Sequence, residues 1–337
     1  MAETNRQWIL ASRPVGEPTM ENFEMVETDV PEPGPQEVLV RTLYMSVDPY
    51  MRGRMRDVES YAEPWDVGDP MNAGVVGEVV ESNHPGFAEG DVVNGTLEWA
   101  DYGVASGNEL RPVNPAYGPI STAVGVLGMP GATAYFGTFD VAEPVAGDTV
   151  VVSGAAGAVG SVVGQLADLG GCRVVGIAGA DEKVEWLESV GFDVGINYKT
   201  EDVSAALEEA CPDGIDVYFD NVGGPVTDAV WPLLNVRARV AICGQIALYN
   251  ATEVPTGPRK LTQLIQTRAR VEGLLVRDYA DRWGEAFKRL SGWIDSGDIE
   301  YRENVVEGLE NAPDAFFALF EGTKIGKQLV KVGERSA

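Results

Sequence analysis

The sequence has 337 residues, 45% of them hydrophobic, enough material for two ordinary domains with cores of their own. It sets 25 basic against 52 acidic side chains, a formal charge of -27, and a field of that sign repels nucleic acid and anionic lipid. No apolar run approaches the ~20 residues of a membrane span, and the N-terminus lacks a basic region followed by an apolar stretch, so the reading is a cytoplasmic protein with no membrane partner.

The surplus of acid has two readings. One is a solvated surface that keeps the protein soluble. The other, which the size of the imbalance favours, is adaptation to a salt-rich cytoplasm where screening suppresses self-repulsion. Cys172, Cys211 and Cys243 are dispersed and form no CxxC pair, which argues against a disulfide framework. The one histidine, His84, lies in Ser82-Asn83-His84-Pro85-Gly86, a turn sequence. A single histidine with no cysteine nearby cannot supply a zinc ligand set, so no metal is expected. A Ser-His-Asp or Cys-His mechanism would rest on His84 alone, and a loop histidine is more often structural.

Residues 1–120 are rich in Gly and Pro. They carry short alternating apolar runs at Glu37–Leu43, Val75–Val80 and Asp91–Val93, the pattern of a compact β-rich domain or partly open barrel. From about residue 148 the pattern changes to continuous apolar strands separated by amphipathic stretches. The strands are Asp148–Ser153, Arg173–Ile177, Val194–Ile196, Asp216–Phe219, Ala238–Ile242 and Val271–Val276. A helix over Asp181–Val190 places Val184, Leu187 and Val190 on one side. Six such strands fit a doubly wound parallel sheet covered on both faces, an α/β architecture. A strand at Tyr301–Val306, a helix at Asn311–Phe320 and a strand at Lys327–Val332 close the chain.

The first parallel strand runs into Ser153-Gly154-Ala155-Ala156-Gly157-Ala158-Val159-Gly160-Ser161, where Ala155-x-Gly157-x-x-Gly160 stands in for GxGxxG. Gly157 lets the backbone approach a pyrophosphate, and Gly160 lets the following helix, which extends to about Leu169, pack on the strand. The helix N-terminus then holds the negative charge. The competing reading is a tight corner of small residues with no ligand. For an NAD site an acid is expected at the end of the second strand, but Ala178-Gly179-Ala180 is small and neutral. Asp181 and Glu182 follow where a helix begins and read as its first turn. Lys183 in that turn is unfavourable for the helix dipole, which suggests a 2′-phosphate partner and hence NADPH; a solvated surface lysine is the alternative.

Taken together, several motifs resemble a known family. They are Arg13-Pro14-Val15-Gly16, Asn22-Phe23, Ser46–Met55, Val126–Gly131, Ala155–Gly160, Asp220-Asn221-Val222-Gly223-Gly224 and Tyr249-Asn250-Ala251-Thr252-Glu253. The sequence resembles zinc-free medium-chain dehydrogenase/reductases of the group that includes prostaglandin reductases, plant double-bond reductases and bacterial NADPH-dependent curcumin reductase. The resemblance spans essentially the whole chain. It implies a GroES-like catalytic domain at 1–125 completed by 297–337, a Rossmann NADPH-binding domain at 126–296, and a homodimer.

Carried onto this chain, the resemblance puts Gly157, Ala158, Val159 and Gly160 at the pyrophosphate and Lys183 and Tyr198 at the 2′-phosphate. It puts Asn221 by the cofactor after the fourth strand. Cys243, Gly244, Gln245, Ile246, Ala247, Leu248 and Tyr249 follow the fifth strand and line the cofactor, as do Leu274, Leu275 and Val276 at the sixth. Where the family has a cofactor-contacting asparagine near the C-terminus, this sequence has Lys324, a charged substitute.

The implied reaction is reduction of a carbon-carbon double bond conjugated to a carbonyl: hydride to the β-carbon, then protonation of the enolate. Without zinc the oxyanion needs a hydrogen-bond donor. Tyr249 is the leading candidate, because a phenol with pKa near ~10 stays protonated at neutral pH. The competing roles are a pocket wall for Tyr249 and proton delivery through the cofactor ribose. Tyr50 and Arg52 are weaker candidates for touching substrate; Asp48-Pro49 reads as a turn, and Arg52 equally well as half of an internal ion pair. Quinone reduction, or NADPH binding without catalysis, are the alternative functions.

Overall fold

The computed structural model describes residues 4–336, and the chain folds as two units. One unit runs to residue 125 and takes back 303–321 and the stretch from 328; the other holds 126–302 and 322–327. The family resemblance assigns all of 297–337 to the first unit. In the structure 297–302 stays with the second, where Gln165 exchanges two hydrogen bonds with the Glu300 backbone, and 322–327 returns to it, because Gly326 N–H donates to Ala156 O at 2.7 Å and Lys327 N–H to Arg302 O at 2.8 Å.

In the first unit β1 (Thr4–Leu10) pairs antiparallel with β2 (Phe23–Asp29) in a separate ribbon. The main sheet is built on β3 (Glu37–Ser46), followed by the short helix α1 (Met51–Arg54), β4 (Asn72–Ser82), β5 (Val92–Glu98), β6 (Tyr102–Ser106) and β7 (Arg111–Pro112). Apolar residues of β3 and β4 are buried in near-continuous runs, the pattern of strands covered on both faces. Its register against β4 shifts twice, and at the crossing Gly77 leaves room for Val40 and the Arg41 carbonyl that a β-carbon would overlap. Trp8, Phe23, Trp65, Trp99 and Phe316 fill the core in edge-to-face and stacked contacts.

The second unit opens with α2 (Met129–Phe136), which widens into a π-turn over Gly137–Ala142. Strands and helices then alternate: β8 (Thr149–Ser153), α3 (Gly160–Leu169), β9 (Arg173–Ala178), α4 (Asp181–Ser189), β10 (Val194–Asn197), α5 (Val203–Ala210), β11 (Ile215–Asp220), α6 (Gly224–Val230), β12 (Leu234–Ile242), α7 (Thr262–Thr267), β13 (Arg270–Gly273) and α8 (Trp283–Ser296). The parallel sheet has the order β10-β9-β8-β11-β12-β13. β8 is central and every residue in it is buried; Val150, Val151 and Val152 contribute about 1.5–3 kcal/mol each on burial. The order reverses between β8 and β11, the switch point where open parallel sheets bind ligands at their carboxyl ends.

β13 ends at Gly273, three residues short of the strand expected to reach Val276. Leu274 N–H still donates to Ile242 O at 2.9 Å, but Val276 opens a 3₁₀ turn. The apolar run serves core packing and not the ladder, since Leu274 and Val276 lie against the buried cluster around Phe136 and Phe219.

The first unit is completed by β14 (Glu303–Glu307), α9 (Ala312–Glu321) and β15 (Lys327–Lys331). β15 pairs with β3 at 44–46, while β6 pairs with it at 37–41. The sheet path runs β14-β15-β3-β4-β5-β7, so among the described strands β14 and β7 are ends and the barrel is open.

Candidate active site

The phosphate turn sits where β8 meets α3. Gly154 has φ +58 and Gly157 N–H donates to Gly154 O at 3.0 Å, closing the corner. A β-carbon on Gly160 would lie 2.5 Å from Gly154 O and 2.9 Å from Ala155 Cα, so this glycine sets the approach of helix to strand. One on Gly157 would meet only Gly154 O, at 3.2 Å, which leaves its open side for a ligand. Ala158, Val159 and Gly160 lead into the first turn of α3, the end of the helix at which the backbone dipole favours an anion. Gly160→Ala is expected to cost about 1–3 kcal/mol, read as a lowered midpoint of thermal unfolding, because the new methyl meets rigid backbone. An unchanged midpoint would mean that the turn relaxes freely.

At the end of β9 the neutral Ala178-Gly179-Ala180 has a visible purpose. A β-carbon on Gly179 would stand 2.7 Å from Tyr198 Cε1, so the glycine makes room for the Tyr198 ring, which is 42% exposed. Lys183 is not a solvated surface lysine. It is 8% exposed, and its Nζ donates to Gly322 O at 2.8 Å. Burial lowers its pKa, Lys199 lowers it further, and Glu182 opposes both. Asp181 accepts from Asn197 Nδ2 at 2.6 Å, so this acid serves the fold. A β-carbon on Gly322 would lie 3.8 Å from Tyr198 Oη and 3.9 Å from Lys199 Nζ, so Lys183, Tyr198 and Lys199 converge on one spot. Sequence reasoning misses Lys199; its only signal is adjacency to Tyr198. Exposed Lys324 lies midway between Gly322 and Gly326, in the segment bonded back to the phosphate turn.

Between β11 and β12 the site is organised by a residue that sequence reasoning does not single out. Asp220, fully buried, ends β11. Its Oδ1 accepts from Ser153 Oγ at 3.0 Å, Tyr218 Oη at 2.9 Å, and the N–H groups of Val222 at 3.0 Å and Gly223 at 2.9 Å. Its Oδ2 accepts from Thr227 Oγ1 at 2.7 Å and Gln245 Nε2 at 2.8 Å. Hydrogen bonds on both oxygens stabilise this buried carboxylate. Asn221 is fixed by its own pair: its N–H donates to Ser153 Oγ at 2.9 Å and its Nδ2 to Ser153 O at 2.7 Å.

The segment from Cys243 to Tyr249 hangs from the same strand end. Cys243 and Gly244 N–H groups donate to Asp220 O, Ile246 N–H to Asn221 O, and Ala247 N–H to Val222 O, at 2.8–3.4 Å. Leu248 N–H donates to Gln245 O at 2.9 Å, closing a 3₁₀ turn that delivers Tyr249. Tyr249 Oη accepts from Gln245 N–H at 3.3 Å. Burial raises the phenol's pKa, with Cys243 and Asp220 adding to the shift, while the Gln245 N–H stabilises the phenolate and opposes it. Burial pushes the Cys243 thiol up to about 12, so at neutral pH it is an inert wall and not a nucleophile.

The remaining residues are in the other unit or are structural. Tyr50 and Arg52 lie at α1. Burial raises the Tyr50 phenol well above its ordinary range, with Asp48 adding to the effect. Arg52 is 1% exposed and donates from Nη2 to the carbonyls of Pro14 at 3.4 Å and Gly16 at 2.7 Å. The geometry gives it a backbone-binding role. His84 Nδ1 accepts from Gly86 N–H at 3.1 Å within its turn, and the ring packs on Phe87. Among the described residues no group of three or more His, Cys, Asp or Glu is placed to hold a metal ion.

Two family descriptions match the chain: "N-terminal domain of oxidoreductase" over residues 6–113 and "Zinc-binding dehydrogenase" over 158–292. The chain is 47% identical to an NADPH-dependent curcumin reductase of Escherichia coli, over 98% of this chain and 97% of that protein. It is 44% identical to a 2-alkenal reductase (NADP(+)-dependent) of Nicotiana tabacum, over 98% of this chain and 99% of that protein. The crystal structure of CurA from Vibrio vulnificus in complex with NADPH superposes with a TM-score of 0.93 at 47% identity, covering 98% of this chain and 99% of that one.

The chain is a medium-chain dehydrogenase/reductase. It belongs with the curcumin, alkenal and prostaglandin reductases. In this medium-chain reductase the "zinc-binding" description begins at residue 158, at the end of the phosphate turn, and runs through β9 to β13 into α8; among the described residues no metal-ligand cluster is found.

Proposed function

We propose that this reductase uses NADPH to saturate the carbon-carbon double bond of α,β-unsaturated ketones and aldehydes. The observation that carries the reading is Tyr249, a phenol of raised pKa presented beyond the carboxyl ends of β11 and β12 on a loop bonded to both. The residues present fit the cofactor. Gly157 leaves an open side at the helix N-terminus for a pyrophosphate, and a buried lysine with Tyr198 and Lys199 answers a 2′-phosphate. Asn221, Cys243–Tyr249 and Leu274–Val276 would line the remainder, with Lys324 reaching a phosphate from the returning segment. When bound, NADPH supplies the hydride that forms the new C–H bond at the β-carbon.

As the double bond is lost, charge develops on the carbonyl oxygen. Tyr249 donates its hydroxyl to that oxygen and holds the proton the enolate takes up. In the other unit burial keeps the Tyr50 phenol protonated, and Arg52 Nη2 donates to the carbonyls of Pro14 and Gly16. The test is NADPH consumption with a panel of enones, a panel of quinones, and no acceptor. Turnover of enones supports the reading. Preference for quinones would move the chain to the quinone-reductase alternative, and tight NADPH binding without turnover would sink the enzyme.

The chain works in the cytoplasm as a homodimer in this reading. β13 is the edge of the parallel sheet with every residue exposed, and an exposed edge is a template for a second copy. Val254, Leu261 and Ile265, on the stretch leading to it, are 88%, 72% and 77% exposed, an apolar surface that a partner copy would cover. Val271→Pro at that edge is expected to give a monomer by light scattering or sedimentation. A dimer that survives the proline would place the interface elsewhere. The acidic surface suits concentrated salt; equal activity in dilute buffer and molar KCl would remove that part.

A further inference from the structure

The Gln245 side chain is held more tightly than a lining residue requires. Its Nε2 faces two acceptors, Asp220 Oδ2 at 2.8 Å and Gly244 O at 2.9 Å, so only the donor end of the amide can point there. Gly223, at φ +74, has no β-carbon, and one would overlap Gln245 Oε1; the amide occupies that space. The backbone N–H of the same residue donates to Tyr249 Oη at 3.3 Å, beyond the usual range for such a bond, so it has little slack. Asp220 also takes the Cys243 and Gly244 N–H groups on its own carbonyl, and so holds the loop by main chain and side chain together.

We propose that Asp220 and Gln245 are positioning residues for Tyr249: the buried carboxylate clamps the glutamine, and the glutamine's N–H aims the phenol. This rests on Tyr249 as the proton donor. Asp220 itself is buried and surrounded by donors, so it acts through the loop and does not touch substrate. Displacing Gln245 by about 1 Å would break the 3.3 Å bond and let the phenol turn, the scale of misplacement that costs an enzyme one to two decades in rate.

The test is a double-mutant cycle at saturating NADPH. Gln245→Met removes the clamp at similar volume, and Tyr249→Phe removes the group it aims. Gln245→Met alone is expected to lower kcat about tenfold with KM for the enone nearly unchanged. Added to Tyr249→Phe it should cost nothing more, because the aimed hydroxyl is already gone. Asp220→Asn is the second arm if the first folds poorly by thermal melting. It turns the Gln245 amide over, loses the bond to Gly244 O, and should be non-additive in the same way. Ultraviolet difference titration of the cofactor-free protein against Tyr249→Phe gives a readout apart from turnover. The Tyr249 phenol should ionise at higher pH in Gln245→Met, since the backbone N–H that stabilised its phenolate is no longer aimed at it.

Equal losses with and without the Tyr249 hydroxyl, or no loss at all, would overturn the clamp and leave the donor standing. If Tyr249→Phe itself leaves kcat unchanged, the donor reading falls and the clamp with it.

Discussion

Tyr249→Phe is expected to lower kcat with an enone about 10²-fold while KM for that enone changes little. The reason lies in when the interaction is made. In the ground state the carbonyl is a weak acceptor; as the β-carbon takes the hydride, the oxygen acquires nearly a full charge, and only then does a donor aimed at it become strong. A pocket wall would contribute equally before and during the reaction, and its loss would appear in KM alone. The phenol's pKa is raised above its ordinary value, first by burial, and the Gln245 N–H only partly offsets this. The group therefore stays protonated through neutral pH, and kcat should be flat from about pH 6 to about 9, falling only above the ordinary phenol range near ~10. A descending limb near neutrality would assign the proton to another group.

The parts of this molecule legible in its sequence are those set by local repetition. The parallel strands can be read because a strand buried on both faces is apolar without interruption, as Val150-Val151-Val152 is. The turn can be read because Gly154, Gly157 and Gly160 answer a constraint within seven residues. The same rule overruns at Leu274-Leu275-Val276, where apolar composition belongs to a loop packed on the core. Periodicity cannot separate the two.

Asp220 stays hidden for a different reason. Its partners come from Ser153, Tyr218, Thr227 and Gln245 and meet only when β8, β11, α6 and the loop after β12 are folded together. In the sequence it is only the first letter of a family motif. Arg52 shows the limit from the other side. An arginine near Asp48 invites an ion pair in the sequence, but nothing there announces that its Nη2 sits on the carbonyls of Pro14 and Gly16, which carry no side-chain signature. The return of Gly322–Lys327 to the second unit likewise depends on backbone bonds to Ala156 and Arg302 that no residue type announces.

Lys183→Met should weaken NADPH binding about 10- to 100-fold, the scale of a charge-assisted hydrogen bond lost from a phosphate, and leave NADH binding within about twofold. A chain of net charge -27 repels a cofactor with a third phosphate, so discrimination in its favour must be local. Lys183 is buried and Lys199 exposed, and the two differ in how salt reaches them. Salt should erode the share of Lys199 while the share of Lys183 persists, so the NADPH-to-NADH affinity ratio of Lys183→Met should lie below that of the unaltered protein at every salt concentration. The lowered pKa adds a second signature. A depressed ammonium loses its proton earlier as pH rises, so NADPH affinity should decline below the ordinary lysine range near ~10.4, while NADH affinity shows no such step. The existing bond to Gly322 O does not compete with this role, because an ammonium has three protons to donate. If Lys183→Met weakens both cofactors equally, the lysine's work is to tie down the returning segment, and the 2′-phosphate must be read by Tyr198 and Lys199 alone.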